Sequence, residues 1–284
     1  MNNYVNEYLR RLNVSPSELS KLEFLFRLHH AHFYLIPFEN IDMKRNALEF
    51  ISDQDVMKRI IYSNRGGVCF ELSILIKSVF KHLGYNYGIR LGRALTPKIT
   101  PATHQFFVVN IDGAKWIFDI GYGAKGPRSL LKLSDGYLHE HPFLSSRVER
   151  HNEHGWVVSV KENSQPNENW ENIYSFHDIE ALKQDVEMAY FYTLHSSNSL
   201  LNKNVVVSLP KEMGRISIRN NVFTEIKGYS ASNISITNKH MMSDLLFERF
   251  GIDIPPSLPL SLLTREIKTH ECNISHCSWI YKFR

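Results

Sequence analysis

The chain of 284 residues has only three cysteines, Cys69, Cys272 and Cys277. So small and odd a number excludes the disulfide framework of a compact secreted domain and leaves a free thiol to account for. Long hydrophobic runs are missing as well. No stretch approaches the ~18 apolar residues needed to cross a bilayer, and the opening Met-Asn-Asn-Tyr-Val-Asn-Glu lacks a basic segment followed by an apolar one. No membrane partner is expected, and the reducing cytoplasm, which keeps a thiol usable, is the expected compartment. Neither sign of charge dominates: a net charge of +4 is a mild excess without a basic stripe. No nucleic-acid partner is therefore expected, although the excess would help attract phosphates. There is no internal repeat or low-complexity tract, and a hydrophobic fraction of 43% suits a globular chain long enough to bury a sizeable core.

One of the cysteines stands in an unusual setting. Arg65-Gly66-Gly67-Val68-Cys69-Phe70-Glu71 places it directly after a glycine pair, and Leu72, Leu75, Ile76, Val79, Phe80 and Leu83 then recur at helical spacing up to Gly84. The pattern predicts a helix whose first turn holds Cys69 and whose left-handed stop is Gly84. Unpaired backbone N–H groups and the positive end of the macrodipole favour negative charge there, as a nucleophilic sulfur requires. A lone cysteine beside a phenylalanine is otherwise a small buried hydrophobe, so Cys69 needs a base before it can be read as a nucleophile.

That base is supplied by a predicted hairpin. His104–Ile111 and Ala114–Gly121 read as two strands joined by Asp112-Gly113, the signature of a type I′ turn. If Ile111 pairs with Ala114, paired residue numbers sum to 225, so Asp119 faces Phe106 and His104 faces Gly121. His104 and Asp119 then lie on one face as diagonal neighbours, roughly 7–8 Å apart at the backbone. A three-residue loop would put them on opposite faces. A carboxylate on one imidazole nitrogen fixes the tautomer and makes the other nitrogen a base for Cys69, giving a Cys-His-Asp triad.

Four stretches in order now resemble the arylamine N-acetyltransferase family: Leu28-His29-His30-Ala31-His32 running into Ile36-Pro37-Phe38-Glu39-Asn40-Ile41, then Arg65–Glu71, then Thr103-His104, then Phe118-Asp119-Ile120-Gly121-Tyr122-Gly123. The resemblance runs from about residue 10 to about residue 254. It implies an α+β fold with a papain-like Cys-His-Asp arrangement: an N-terminal helical bundle (1–83) carrying Cys69, a central antiparallel β-barrel or sheet (84–178) carrying His104 and Asp119, and a C-terminal α/β lid (179–254). It further implies that acetyl-coenzyme A acetylates Cys69 and that the acetyl group passes, in ping-pong fashion, to a small aromatic amine, hydrazine or N-hydroxyarylamine. Phe38, Tyr122 and Gly123 are the implied acceptor contacts, and Glu39 with Arg65 resembles a structural ion pair. Lys125 and Arg128, in the loop after Asp119, are candidates for coenzyme A phosphates. No metal is implied, and the pattern leaves the oligomeric state unknown. Two rival readings stay open: a cysteine-dependent amide synthase or hydrolase, and a non-catalytic coenzyme A or small-molecule binder.

Other features are read from the residues alone. Ser15-Pro16-Ser17-Glu18 predicts an N-cap with a capping-box glutamate and a helix to about Phe33, and Asp53 or Asp55 starts another. His29, His30 and His32 stand too close together on a helix to converge on a metal, and read as packing residues. Further on, a helix is expected over Ile179–Leu194, strands over Val205–Leu209, Arg215–Arg219 and Val222–Lys227, and a last helix over Met241–Phe250. Ser196-Ser197-Asn198-Ser199-Leu200-Leu201 departs from the Ser-Pro-x-Ser-x-Phe usual in the family, which bears on cofactor and acceptor fit. The extension 255–284, with its His270–Cys277 cluster, is expected to pack on the body.

Overall fold

The computed structural model describes residues 2–44, 52–163 and 169–254; the extension and its His/Cys cluster lie outside the described residues. The first part is helical: α1 (Asn2–Arg11), α2 (Lys21–Leu35), α3 (Asp53–Tyr62) and α4 (Cys69–Leu83), with the short strand β1 (Phe38–Glu39) between α2 and α3. Helix α2 begins later than the sequence suggests. Ser15 Oγ is taken by the backbone N–H of Ser17, a local turn that competes with capping, and Glu18 adopts φ 64°. The capping box is formed instead by Ser20 and Glu23, each accepting from the other's N–H. Helix α4 starts at Cys69 and ends with Gly84 at φ 66°, both as expected.

Eight strands follow in the middle of the chain: β2 (Asn86–Ala94), β3 (Ala102–Ile111), β4 (Ala114–Phe118), β5 (Leu131–Lys132), β6 (Tyr137–His139), β7 (Leu144–His151), β8 (Gly155–Glu162) and β9 (Glu171–Phe176). Strands β2 to β9 form one antiparallel sheet in the order β5-β4-β3-β2-β9-β8-β7-β6. Its edge strands β5 and β6 touch, so it curls into a nearly closed barrel. The hairpin β3–β4 has the predicted register, Ile111 with Ala114 and Phe107 with Phe118. Its turn residues Asp112 and Gly113 both have positive φ, 49° and 77°, as a type I′ turn requires.

The remainder comprises α5 (Lys183–His195), α6 (Leu200–Lys203), β10 (Val206–Lys211), β11 (Gly214–Arg219), β12 (Val222–Lys227), β13 (Ser230–Ser235) and α7 (Lys239–Phe250). Strand β13 is fully exposed and has no apolar alternation by which its sequence would mark it as a strand. The second sheet runs β1-β10-β11-β12-β13, so a strand from the N-terminal helical part is an edge of the C-terminal sheet.

Strand β3 is buried on both faces. Phe107 and Val109 join the core built by the helices, while Phe106 and Val108 join the barrel interior with Ile117. By the same alternation His104 and Asp119 share the interior face of their hairpin. A third core lies between the second sheet and α7, and a small fourth one gathers Val68, Cys69, Phe70 and Ala189. Among the described residues no helix is long and apolar enough to cross a membrane.

Candidate active site

Cys69 is the first residue of α4, buried, with its sulfur 3.9 Å from the Thr103 carbonyl. Behind it stands a charged scaffold. Arg65 makes a two-pronged bond to Glu39, at 2.8 and 3.0 Å, the ion pair expected from the resemblance. Arg59 links Asp42 at 2.8 Å to Glu71 at 2.7 Å. Glu71 in turn accepts from the Val68 N–H at 2.9 Å, tying up a helix-end donor where Val68 offers no side-chain cap. Burial pushes the Glu71 carboxyl up, against the pull of Arg59 and the Val68 N–H. The loop before Cys69 therefore hangs on buried ion pairs. It has no room for a side chain at Gly66, where a Cβ would lie 1.7 Å from the Pro37 carbonyl oxygen.

His104 and Asp119 meet at 2.8 Å, imidazole Nε2 to carboxylate Oδ2. Asp119 Oδ1 accepts from the Gly121 N–H at 3.0 Å. Burial opposes charge on His104, but the Asp119 carboxylate and then the Cys69 side chain outweigh it and push the imidazole up to about 10. Burial likewise opposes charge on Asp119, yet His104 and the Gly121 N–H hold its carboxyl below the usual carboxylate range. With Nε2 committed to Asp119, Nδ1 is the nitrogen left for the thiol. The chain then passes directly against the sulfur-bearing residue: a Cβ on Gly121 would stand 2.6 Å from Cys69 Cβ.

The other expected site residues lie around this group. Tyr122 sets its ring edge-on to His104, centroids 5.1 Å apart, and donates its hydroxyl to the Ile173 carbonyl at 2.7 Å. Gly123, at φ 82°, lies beside the Phe38 ring, which packs on the Cys69 cluster together with Leu201, Leu91 and Tyr190. The loop is held to the second sheet by the Ala124 N–H, which donates to Ser208 Oγ at 3.2 Å. Arg128 is not the open loop cation its neighbours suggest. It is buried, donates to the Gly214 carbonyl at 2.9 Å, and lies over the rings of Phe33, Tyr34 and Phe143. A planar, weakly hydrated guanidinium is stable in such an aromatic cage, and there it faces no solvent-borne phosphate. Lys125 forms an ion pair with Glu171 at 3.0 Å.

Sequence reasoning missed Tyr174. Its ring covers His104 at 5.0 Å and Tyr122 at 5.3 Å, and its buried hydroxyl sits near enough to help hold the Asp119 carboxyl down. Nothing local marks a strand tyrosine so far along the chain as a neighbour of the triad. The three histidines of α2 diverge: His29 bonds the Asp119 carbonyl, His30 pairs with Glu212 and His32 bonds Tyr8. Among the described residues no group of His, Cys, Asp and Glu is arranged to hold a metal ion.

A nucleophile at a helix N-terminus, a base and an orienting carboxylate suit acyl transfer. Comparison with known proteins agrees. Residues 21–258 match a family model described as N-acetyltransferase. The arylamine N-acetyltransferase / N-hydroxyarylamine O-acetyltransferase of Salmonella typhimurium is 26% identical over 261 residues, covering 89% of this chain and 90% of its own. The arylamine N-acetyltransferase of Escherichia coli is 25% identical over 256 residues, covering 88% and 89%. In fold, the chain is similar to the solved arylamine N-acetyltransferase from Mycobacterium abscessus, with a TM-score of 0.83 at 22% identity over 91% of this chain and 93% of that one. A family model spanning most of the sequence, with relatives aligned over nearly their full length, places this chain in the arylamine N-acetyltransferase family of acyltransferases.

Proposed function

We propose that this protein transfers the acetyl group of acetyl-coenzyme A to aromatic amines, arylhydrazines or N-hydroxyarylamines through an acetyl-Cys69 thioester, with His104 as the proton carrier and Asp119 as its orienting carboxylate. The observation that carries the reading is His104, bonded through Nε2 to the buried Asp119 carboxylate and raised in basicity by that carboxylate and then by the neighbouring Cys69 side chain. Such an imidazole holds the thiol proton as part of an ion pair.

The Cys69 thiolate attacks the thioester carbonyl, and the coenzyme A sulfur leaves with the proton of the His104 imidazolium. A neutral aromatic amine then attacks the acetyl-Cys69 carbonyl and gives its proton to His104 as the Cys69 thiolate departs. Thioester exchange is close to isoenergetic, so the acetylated enzyme keeps a reactive carbonyl. Phe38, Tyr122 and Gly123 are assigned to the acceptor slot, where an apolar wall suits an aryl ring. Of the two loop cations only Lys125 is assigned to a donor phosphate, which would displace Glu171. The chemistry requires a reduced thiol, which assigns the protein to a reducing compartment such as the cytoplasm.

Incubation with acetyl-coenzyme A followed by intact mass measurement tests the reading. One acetyl group is expected on Cys69, none in Cys69→Ser, and its discharge on adding an aromatic amine. An enzyme that stays unmodified, or that is acetylated equally in Cys69→Ser, overturns it and favours an amide-forming enzyme or a binder.

A further inference from the structure

Helix α2 sends one side chain into the back of the triad. His29 is completely buried, and its Nε2 lies 2.8 Å from the backbone carbonyl oxygen of Asp119. A carbonyl only accepts, so Nε2 carries the proton and donates it. Nδ1 has no hydrogen-bond partner among the described residues, which leaves the Asp119 bond as the ring's one polar contact. Two phenyl rings hold the imidazole in place: Phe33 stacks on it at 5.4 Å, and Phe118, the residue before Asp119, meets it edge-on at 5.4 Å.

Phe118 is the last residue of β4, so the peptide of Asp119 lies just beyond the sheet and has no ladder partner to hold it. Three bonds replace the ladder there. Gly121 N–H and His104 each take one carboxylate oxygen, and His29 takes the peptide oxygen. The same peptide leads within two residues to Gly121, which abuts Cys69. A rotation of the Asp119 carbonyl would therefore move the carboxylate off His104 and shift the wall against the nucleophile together.

We infer that His29 is a positioning residue for the acyl-transfer reaction, holding the Asp119 peptide so that its carboxylate meets His104 and the chain beyond it seats against Cys69. This role rests on the triad reading given above. It touches neither substrate nor reacting atoms and acts through Asp119 alone.

The test uses the full chain as wild type, His29→Gln, His29→Asn, His29→Leu and His104→Gln. Iodoacetamide labelling of Cys69 is followed across pH and located by peptide mass mapping, with steady-state kinetics and thermal melting alongside. Glutamine can present an amide N–H where Nε2 stands; asparagine is too short, and leucine has no donor. His29→Asn and His29→Leu are expected to move the labelling profile toward higher pH by about one unit, roughly a tenfold slower labelling at about pH 6. They should lower kcat by a similar factor and leave KM for acetyl-coenzyme A near the wild-type value. His29→Gln should restore most of both. If His29→Leu proves unstable, the contrast between His29→Gln and His29→Asn, which differ by one methylene, decides. A lower melting temperature with an unmoved labelling profile, or equal profiles for glutamine and asparagine, overturns the inference. If His104→Gln labels like wild type, the triad reading itself fails and the role of His29 fails with it.

Discussion

Gly121→Ala is the substitution most sensitive to how the two halves of the site are joined. The added Cβ would stand 2.6 Å from Cys69 Cβ and 2.8 Å from Cys69 Cα. Ordinary carbon–carbon contact is at about 3.5–4.0 Å, so either α4 or the chain after β4 must give way by roughly 1 Å. The obstacle is backbone and Cβ, not the end of a flexible side chain, so no rotamer change relieves it. Overpacking of this kind costs about 1–3 kcal/mol, and a displacement of this size at a reacting centre costs about 10²-fold in rate. Single-turnover acetylation of Cys69, read by rapid quench and mass measurement, should therefore slow by about two orders of magnitude while the protein still melts cooperatively. Gly84→Ala is the control at the other end of the same helix. Its φ of 66° makes a side chain unfavourable, but nothing lies within 4 Å of the new Cβ. It should lose about 1 kcal/mol of stability and acetylate at the wild-type rate. A folded Gly121→Ala enzyme with unchanged acetylation would refute the close approach and the site built on it.

Arg65→Ala strands the Glu39 carboxylate in the interior and should cost about 3–5 kcal/mol in urea unfolding; a loss below about 1 kcal/mol would show the ion pair to be solvated. Arg128→Met should lower the melting temperature yet leave KM for acetyl-coenzyme A unchanged, and a large rise in KM would return Arg128 to the cofactor. Stability should also fall on both sides of neutrality. Burial pulls His29 down to about 4 from 6.5, so below pH 6.5 the unfolded chain takes up a proton that the folded one refuses. Stability then drops toward pH 4 by up to ~1.4 kcal/mol per pH unit for this group, and His29→Gln should flatten the slope. His104 behaves oppositely. Raised to about 10 from 6.5, it contributes stability that is complete below 6.5 and lost as pH rises through 10, so His104→Gln should flatten the alkaline limb of a melting-temperature profile.

Some of this protein follows from short-range rules. The 3.6-residue period after Cys69, closed by Gly84, places the cysteine at a helix start, and Asp112-Gly113 determines a hairpin whose parity puts His104 and Asp119 on one face. These features depend on residues within a turn or two of each other, where spacing and backbone preference act directly. Competition between similar local signals is already harder to read: Ser15 and Ser20 each precede a glutamate by three residues, and the outcome turned on which hydroxyl its own neighbour captured.

The rest was decided by contacts across the chain. The pairing of β1 with β10, the aromatic cage around Arg128, the Tyr174 ring over His104 and the bond from His29 to Asp119 join residues that no periodicity relates. Each gives a buried polar group or an apolar face a partner, which the packing of helices against the barrel brings close.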